Sequence, residues 1–399
     1  MQTPAKLDFS IPVFYAFYIV LNAMMAFLIM NSEVGGVAYD FLPHNAWAMN
    51  IVENGFDLSN LYHNGVAFLV ILGICVNRAA GILVFIMQML FVVAIHYVVW
   101  KLLKDYVDGK WIIFVVAVVA LAGSIPNLLG PNMMYHFAFG INVWHNPTTF
   151  TVMPFAILSF FFFCRTLAMS DIEKPKRTRN ILGVKCDDYL VSALFLSLTL
   201  LLSVYGKVSW LPPFAVAALI FLFCWWLKSK FNLNRLKDCF FIGCCFIPAG
   251  VLALWITTNT VYAEGYFSIQ LAWFIRPTIV LNLLFPLLVL CVRYNEIRNN
   301  RFYQVAWLTY VAALLQSLFI VQHPLVYAGN ITWGVLYSLT VLLLISSIEF
   351  VKYIHQSKIE HGMTKYKLIS YIGLSLMGIH LFSGIYYALH VYTFNQFWF

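Results

Sequence analysis

Charge is what this chain has least of. Asp, Glu, Lys and Arg make up 10% of its 399 residues, against 62% that are hydrophobic, and a mean hydropathy of +0.83 excludes a soluble domain. Walker-type glycine loops, a GxGxxG following a strand and an HExxH helix are all missing. Nucleotide and zinc-protease chemistry therefore have no residues to stand on. Cysteine is sparse: Cys75, Cys164, Cys186, Cys224, Cys239, Cys244, Cys245 and Cys291 fall mostly inside apolar runs, where they pack rather than form a disulfide framework. The last absence is local. From Asn31 to His63 there is not one Lys or Arg, although Glu33, Asp40, Glu53 and Asp57 all lie there.

What the chain has is long apolar runs. The first, Ile11 to Met30, is long enough to cross a hydrocarbon core of about 30 Å. It is too long for the apolar part of a removed signal peptide and lacks a small-residue cleavage site, so it reads as a retained helix. Ten further runs follow near 80–103, 111–127, 148–167, 188–205, 211–228, 238–258, 271–292, 303–321, 333–352 and 367–390. The expected fold is all-α, a polytopic helical membrane protein of about eleven transmembrane helices (within ten to thirteen), forming a single transmembrane domain over residues 1–399. Gly65 to Asn77 is apolar but spans only about 13 residues where a crossing needs roughly 20. It reads as a helix lying in the interface or dipping partway in.

Basic residues give the orientation. With the N-terminus cytoplasmic, Lys6 and the clusters at 101–110, 165–185, 228–237, 293–301 and 352–367 all face the cytoplasm, accounting for 21 of the 24 Lys and Arg, as the positive-inside rule requires. Arg78, Lys207 and Arg276 stay on the outer side. Making 64–77 a twelfth crossing with the N-terminus outside places 20 of 24 cations inside, but it puts the cation-free loop in the cytoplasm and needs a very short helix. In the preferred arrangement residues 31–79 form a first outer loop with juxtamembrane helices, and 126–149 a second. The outer carboxylates are then Glu33, Asp40, Glu53, Asp57 and Glu264. The net charge of +8 sits in short loops without aromatic interleaving, so it orients the chain against anionic membrane lipid and implies no nucleic acid.

Within the first loop, Tyr39-Asp40-Phe41-Leu42-Pro43-His44-Asn45-Ala46-Trp47-Ala48-Met49-Asn50-Ile51-Val52-Glu53-Asn54-Gly55 puts an acid just before an amphipathic helix that ends at glycine. Tyr62-His63-Asn64-Gly65 and the short apolar segment follow. This order of parts, over about the first 150 residues and together with the helix count, resembles the C-type glycosyltransferases, integral membrane enzymes that take sugars from polyprenyl-phosphate carriers. The resemblance implies an acidic residue, surface-lying helices and a half-inserted helix in the first outer loop. Members often carry paired acids; here Asp40 stands alone, with Glu33 seven residues earlier, which weakens metal coordination more than it weakens a base.

The chemistry of such a transfer needs a carboxylate to deprotonate the acceptor hydroxyl and cations to hold the departing phosphate. Asp40 is the expected base, with Glu33 the other catalytic carboxylate. Arg276, Lys207, His323 and Arg78 are the phosphate candidates, Arg276 because a charge at the end of a crossing is costly unless used. Amide, imidazole and indole side chains suit sugar hydroxyls and sugar faces. His44, His136, Trp144, His145, Asn146 and Asn330 are therefore the substrate candidates. Each has a plainer structural role: Arg276 and Lys207 as interfacial anchors, the Trp144-to-Thr148 run as a helix start with Pro147 in its first turn, and the segment around Asn330 as a turn. The outer histidines show no compact ligand spacing, so no metal is assigned, although a divalent cation between Asp40 and a phosphate fits the chemistry.

The sequence thus reads as an enzyme of the cytoplasmic membrane with its active site on the outer side, using a lipid-linked sugar donor and a glycan or lipid acceptor, with no cofactor firmly implied. Two alternatives stand beside it. One is an O-antigen or capsule repeat-unit polymerase, against which the outer loops after Thr149 are short. The other is a transporter or lipid-linked glycan flippase, against which His96 and His380 are the only ionisable residues near mid-helix and no internal repeat is visible.

Overall fold

The computed structural model describes residues 10–31, 38–56, 58, 60–129, 146–170, 178–181, 184–259, 266–269, 277–323, 332–360 and 364–394. The chain is a polytopic helical membrane protein. Among the described residues, nine helices are long and apolar enough to cross a membrane.

Helix α1 (Ser10–Asn31) packs on α4 (Val76–Leu103), and between them in sequence lie two shorter helices, α2 (Ala38–Asn54) and α3 (Leu61–Ile71). Each of these two ends in a glycine in the left-handed region, Gly55 at φ +96° and Gly73 at φ +91°, where an L side chain is strained. Around Gly73 the amides of Gly73 and Ile74 bond back to Val70 and Leu69 at 2.8 and 3.2 Å, a Schellman closure. It stops α3 after 11 residues, well short of a crossing, so the chain turns and starts α4 at Val76, four residues earlier than the sequence suggests.

Helix α5 (Gly109–Ala120) corrects an expectation. The run 111–127 reads as one crossing, but the helix has only 12 residues, about 18 Å, and a 3-10 turn takes over at Ile125–Leu129. The freed backbone between them is held by other helices, as non-helical chain at membrane depth requires. The Gly123 amide donates to the His380 carbonyl at 2.9 Å, and His380 Nδ1 lies 2.9 Å from the Gly123 carbonyl. Ser383 Oγ donates to the Ser124 carbonyl, and Asn282 Oδ1 accepts from the Ile125 amide at 3.1 Å.

The remaining elements are α6 (Pro147–Ser170), the strands β1 (Thr178–Ile181) and β2 (Val184–Asp187), α7 (Asp188–Gly206), α8 (Leu211–Lys228), α9 (Leu233–Cys244), α10 (Ile247–Asn259), β3 (Tyr266–Ile269), α11 (Pro277–Val292), α12 (Tyr294–Ile297), α13 (Arg301–Phe319), β4 (Ile320–His323), α14 (Trp333–Glu360) and α15 (Thr364–Phe394). Two further differences from the apolar runs have identifiable causes. The run 238–258 is broken between α9 and α10, where Pro248, in the first turn of α10, lacks an amide hydrogen to continue the ladder. Residues 320–321 belong to β4, not to α13, because they pair antiparallel with β3 in the register Ile269↔Ile320 and Ser268↔Val321. The first residues of the run 271–292 lie outside the described part, and its described helix is α11.

Helix α14 is the axis of the bundle: Thr332 through Val351 are all buried. Its hydroxyl groups are partly satisfied by its own backbone, Ser338 to Val335 at 3.0 Å and Thr340 to Leu336 at 2.9 Å, the usual device for polar side chains inside a helix. Outward-facing Leu194, Leu219, Phe240 and Leu254 are by contrast exposed, the surface expected against lipid rather than water. At the end of the bundle away from α2 and α3, Glu349 accepts from Lys352 Nζ at 2.9 Å and from Asn300 Nδ2 at 3.0 Å. Arg293 Nη1 donates to the Glu349 backbone carbonyl at 3.1 Å and its Nη2 lies 3.9 Å from the carboxylate, so Glu349 ties α14 to the starts of α12 and α13 at that end.

Candidate active site

Helices α2 and α3 form a pair held by a chain of polar contacts. Buried Tyr62 on α3 donates to Asn45 Oδ1 on α2 at 3.1 Å, and Asn45 Nδ2 donates to Asn77 Oδ1 at the start of α4, also at 3.1 Å. Burial holds the Tyr62 hydroxyl well above its ordinary pKa, so it stays a neutral donor. Asn60 caps α3 by accepting from the Tyr62 amide at 2.8 Å, and its Nδ2 donates to the Gly206 carbonyl at 2.7 Å. The last residue of α7 is thereby fixed beside α3, and Lys207 follows it in an extended conformation.

This framework brings two histidines edge to edge. His44 Nδ1 and His63 Nε2 are 2.8 Å apart, with the ring centroids 5.1 Å apart and the planes inclined by 29°. Trp47 packs edge-on against both, at 5.2 Å from His44 and 5.3 Å from His63, and Tyr62 stands 6.0 Å from each ring. Burial pushes the His44 pKa well below its ordinary value, and the neighbouring His63 and the charge of Lys207 push it the same way. Lys207 Nζ lies over the Trp333 ring at 4.7 Å from its centroid, a cation–π contact that links the site to the first turn of α14. Gly334 beside it packs so closely that a Cβ would come within 2.8 Å of the Ser209 carbonyl.

The sequence candidates fall as follows. His44 lies within the field of the Lys207 ammonium. Arg78 is exposed on the first turn of α4, next to Asn77. Asn146 sits at φ +59°, and its Oδ1 accepts from the Thr148 amide at 3.0 Å and the Thr148 hydroxyl at 2.6 Å, so that oxygen caps α6. Asp40 lies on α2 one turn before His44, and His323 lies on β4 opposite Tyr266; the side chains of both fall outside the described part. Glu33, His136, Trp144, His145, Arg276 and Asn330 lie outside the described residues.

His63, Trp47, Tyr62 and Trp333 join the site without having been picked out as site residues. Their signal was weak because His44 and His63 are 19 residues apart on different helices, and Lys207 arrives from the end of α7. Among the described residues no group of three His, Cys, Asp or Glu is placed to hold a metal ion. What the arrangement brings together is a cation on an indole ring, two hydrogen-bonded imidazoles and the aromatic rings of Trp47 and Tyr62.

No protein family matches the chain, and no curated protein matches it. Among solved structures it is similar to one described as "Crystal Structure of ArnT from Cupriavidus metallidurans bound to Undecaprenyl phosphate", at 10% identity over 96% of this chain and 75% of that one, with a TM-score of 0.47. A likeness of that degree decides nothing about the activity of this chain.

Proposed function

We propose that this protein transfers a sugar from a polyprenyl-phosphate donor to a glycan or lipid acceptor at the outer face of the cytoplasmic membrane. The observation that carries the reading is the cluster of His44, His63 and Lys207, one helical turn from Asp40 and at the end of the bundle away from the Arg293, Lys352 and Arg301 cations. Asp40 takes the proton of the acceptor hydroxyl as its oxygen bonds to the anomeric carbon. The bond from that carbon to the phosphate oxygen breaks, and the phosphate leaves with the electron pair. Lys207 and the imidazoles stabilise the charge on the leaving phosphate, a contribution typically worth about 10²–10³ in rate for one well-placed donor. Arg276, His323 and Arg78 are further phosphate partners in this reading, and Glu33 is the second carboxylate. His136, Trp144, His145, Asn146 and Asn330 hold the sugar or acceptor.

One observation favours a second reading. The interruption of α5 beside His380 and Asn282 resembles the broken helices of transporters. Its freed backbone groups are, however, tied to α11 and α15, which suits a fixed structural break. The purified protein in nanodiscs, given a panel of polyprenyl-phosphate sugars and glycan acceptors, is expected to release polyprenyl phosphate and lengthen an acceptor. Vesicles that accumulate solute or flip a lipid-linked sugar, without any such release, would replace transfer with transport.

A further inference from the structure

We infer that the cluster of Arg293, Lys352 and Glu349, at the end of the bundle away from α2 and α3, is a binding site for a phosphate group. It lies apart from the His44 cluster and holds whether or not the protein transfers sugar.

The hydrogen bonds of the cluster are incomplete on the cation side. A guanidinium has five N–H donors, and among the described residues the Arg293 guanidinium makes one hydrogen bond, from Nη1 to the Glu349 backbone carbonyl at 3.1 Å. Its Nε is buried with no hydrogen-bond partner, in a residue that is 5% exposed. Its Nη2, 3.9 Å from Glu349 Oε2, is beyond hydrogen-bond length. The carboxylate is engaged elsewhere, since Oε1 accepts from Lys352 Nζ at 2.9 Å and from Asn300 Nδ2 at 3.0 Å. Apart from that one bond, Lys352 Nζ lies over the Tyr106 ring, 4.9 Å from its centroid. A buried donor left without an acceptor is costly, and more so when it is charged.

The charges do not balance either. Arg293 and Lys352 share the single carboxylate of Glu349, which leaves one positive charge over. Exposed charges near them along the chain, Asp105, Asp108 and Glu296 against Lys104, Lys110 and Arg298, cancel in number. An uncompensated buried cation is strongly destabilising unless something supplies its counter-charge.

A phosphate group meets both deficits at once. Its oxygens suit the fork of a guanidinium, here Nε and Nη2, and an ammonium adds a point charge beside them. The place fits as well. The basic clusters at 101–110, 293–301 and 352–367 put this end on the cytoplasmic side in the positive-inside arrangement. Exposed Tyr294, next to Arg293, and exposed Tyr106, under Lys352, set aromatic rings at the depth of lipid headgroups. The Lys352 side chain is 15% exposed, so the cluster is open to that layer. A headgroup phosphodiester and free phosphate share this chemistry.

The test is thermal stabilisation of the full-length protein in a maltoside detergent, which carries no phosphate, at constant ionic strength made up with sodium chloride. Inorganic phosphate is one ligand and dioctanoyl phosphatidylglycerol the other. A saturable rise in melting midpoint is expected; a rise with phosphate assigns a soluble ligand, and a rise with the lipid alone assigns a headgroup. Lys352→Met should weaken the apparent affinity at least about tenfold. Glu349→Gln removes the competing carboxylate and should strengthen it. Hydrogen exchange of the wild type with and without ligand covers the case in which a variant does not fold, and protection should appear in residues 293–301 and 349–353. No stabilisation by either ligand overturns the proposal. So does stabilisation that is undiminished in folded Lys352→Met, or that protects neither segment.

Discussion

Asn60 reaches from the start of α3 to the Gly206 carbonyl, with its Nδ2 2.7 Å from that oxygen, and the residue after Gly206 is Lys207. One side chain thus caps a helix and ties down the backbone beside the cation whose charge acts on His44. Asn60→Ala should lower stability by about 1–2 kcal/mol through the lost cap and loosen the site. Thermal unfolding of the protein in detergent should show a lower midpoint, together with weaker binding of a prenyl phosphodiester. An unchanged midpoint and affinity would mean that the contact positions nothing.

The break in α5 yields a contrast within one helix. A Cβ on Gly384 would overlap the Leu121 carbonyl oxygen, while one on Gly378, also in α15, would meet nothing within 4 Å. Gly384→Ala should therefore push α15 away from α5 and greatly reduce the yield of folded protein. Gly378→Ala should be neutral or stabilising by about 0.5–1 kcal/mol, as for a helical glycine replaced by a better helix former. Size-exclusion profiles after heating each variant check both; equal behaviour of the two would show that the backbone contact is not formed.

Glu349 at the opposite end is 4% exposed and is approached by Lys352 at 2.9 Å and by Arg293 at 3.9 Å. Glu349→Gln leaves buried Arg293 and half-buried Lys352 without their counter-charge and should destabilise the fold by about 3–5 kcal/mol. Adding Lys352→Met should restore part of the loss, because the remaining imbalance is smaller. If the double variant unfolds no later than Glu349→Gln alone, Lys352 is not the partner that matters.

The pH dependence of stability follows from His44. Its pKa in the folded, unliganded protein lies well below the ordinary 6.5, so the unfolded chain binds the proton more readily. This contribution to stability is complete above about pH 6.5 and declines as pH falls below that value. Melting midpoints measured at pH 5.5 and pH 8 should differ more in the wild type than in His44→Gln. The opposite order would place a stabilising charge on His44.

Much of the fold was legible because crossing a membrane needs a countable length of apolar residues. Each of the eleven runs contains a helix, and Gly65 to Asn77, too short to cross, belongs to α3 and the turn into α4. The break after Ala120 was hidden because Leu121-Ala122-Gly123-Ser124-Ile125 still reads as apolar. What ends the helix is partners on α11 and α15, more than 150 residues away along the chain. The pairing of β3 with β4 and the meeting of His44 with His63 are likewise tertiary: neither has a local spacing to betray it. Lys207 was visible as a rare cation at a helix end, but its placement depends on Asn60, a residue with no distinguishing context in the sequence.

Single-turnover release of polyprenyl phosphate decides whether Asp40 is the base of a sugar transfer. The measurement compares the wild type with Asp40→Asn in nanodiscs, using whichever donor of the panel the wild type turns over. The release rate of Asp40→Asn is expected to fall by about 10²–10⁴-fold, with unchanged melting temperature and unchanged binding of the prenyl phosphodiester. A folded Asp40→Asn protein that releases polyprenyl phosphate at the wild-type rate would contradict it.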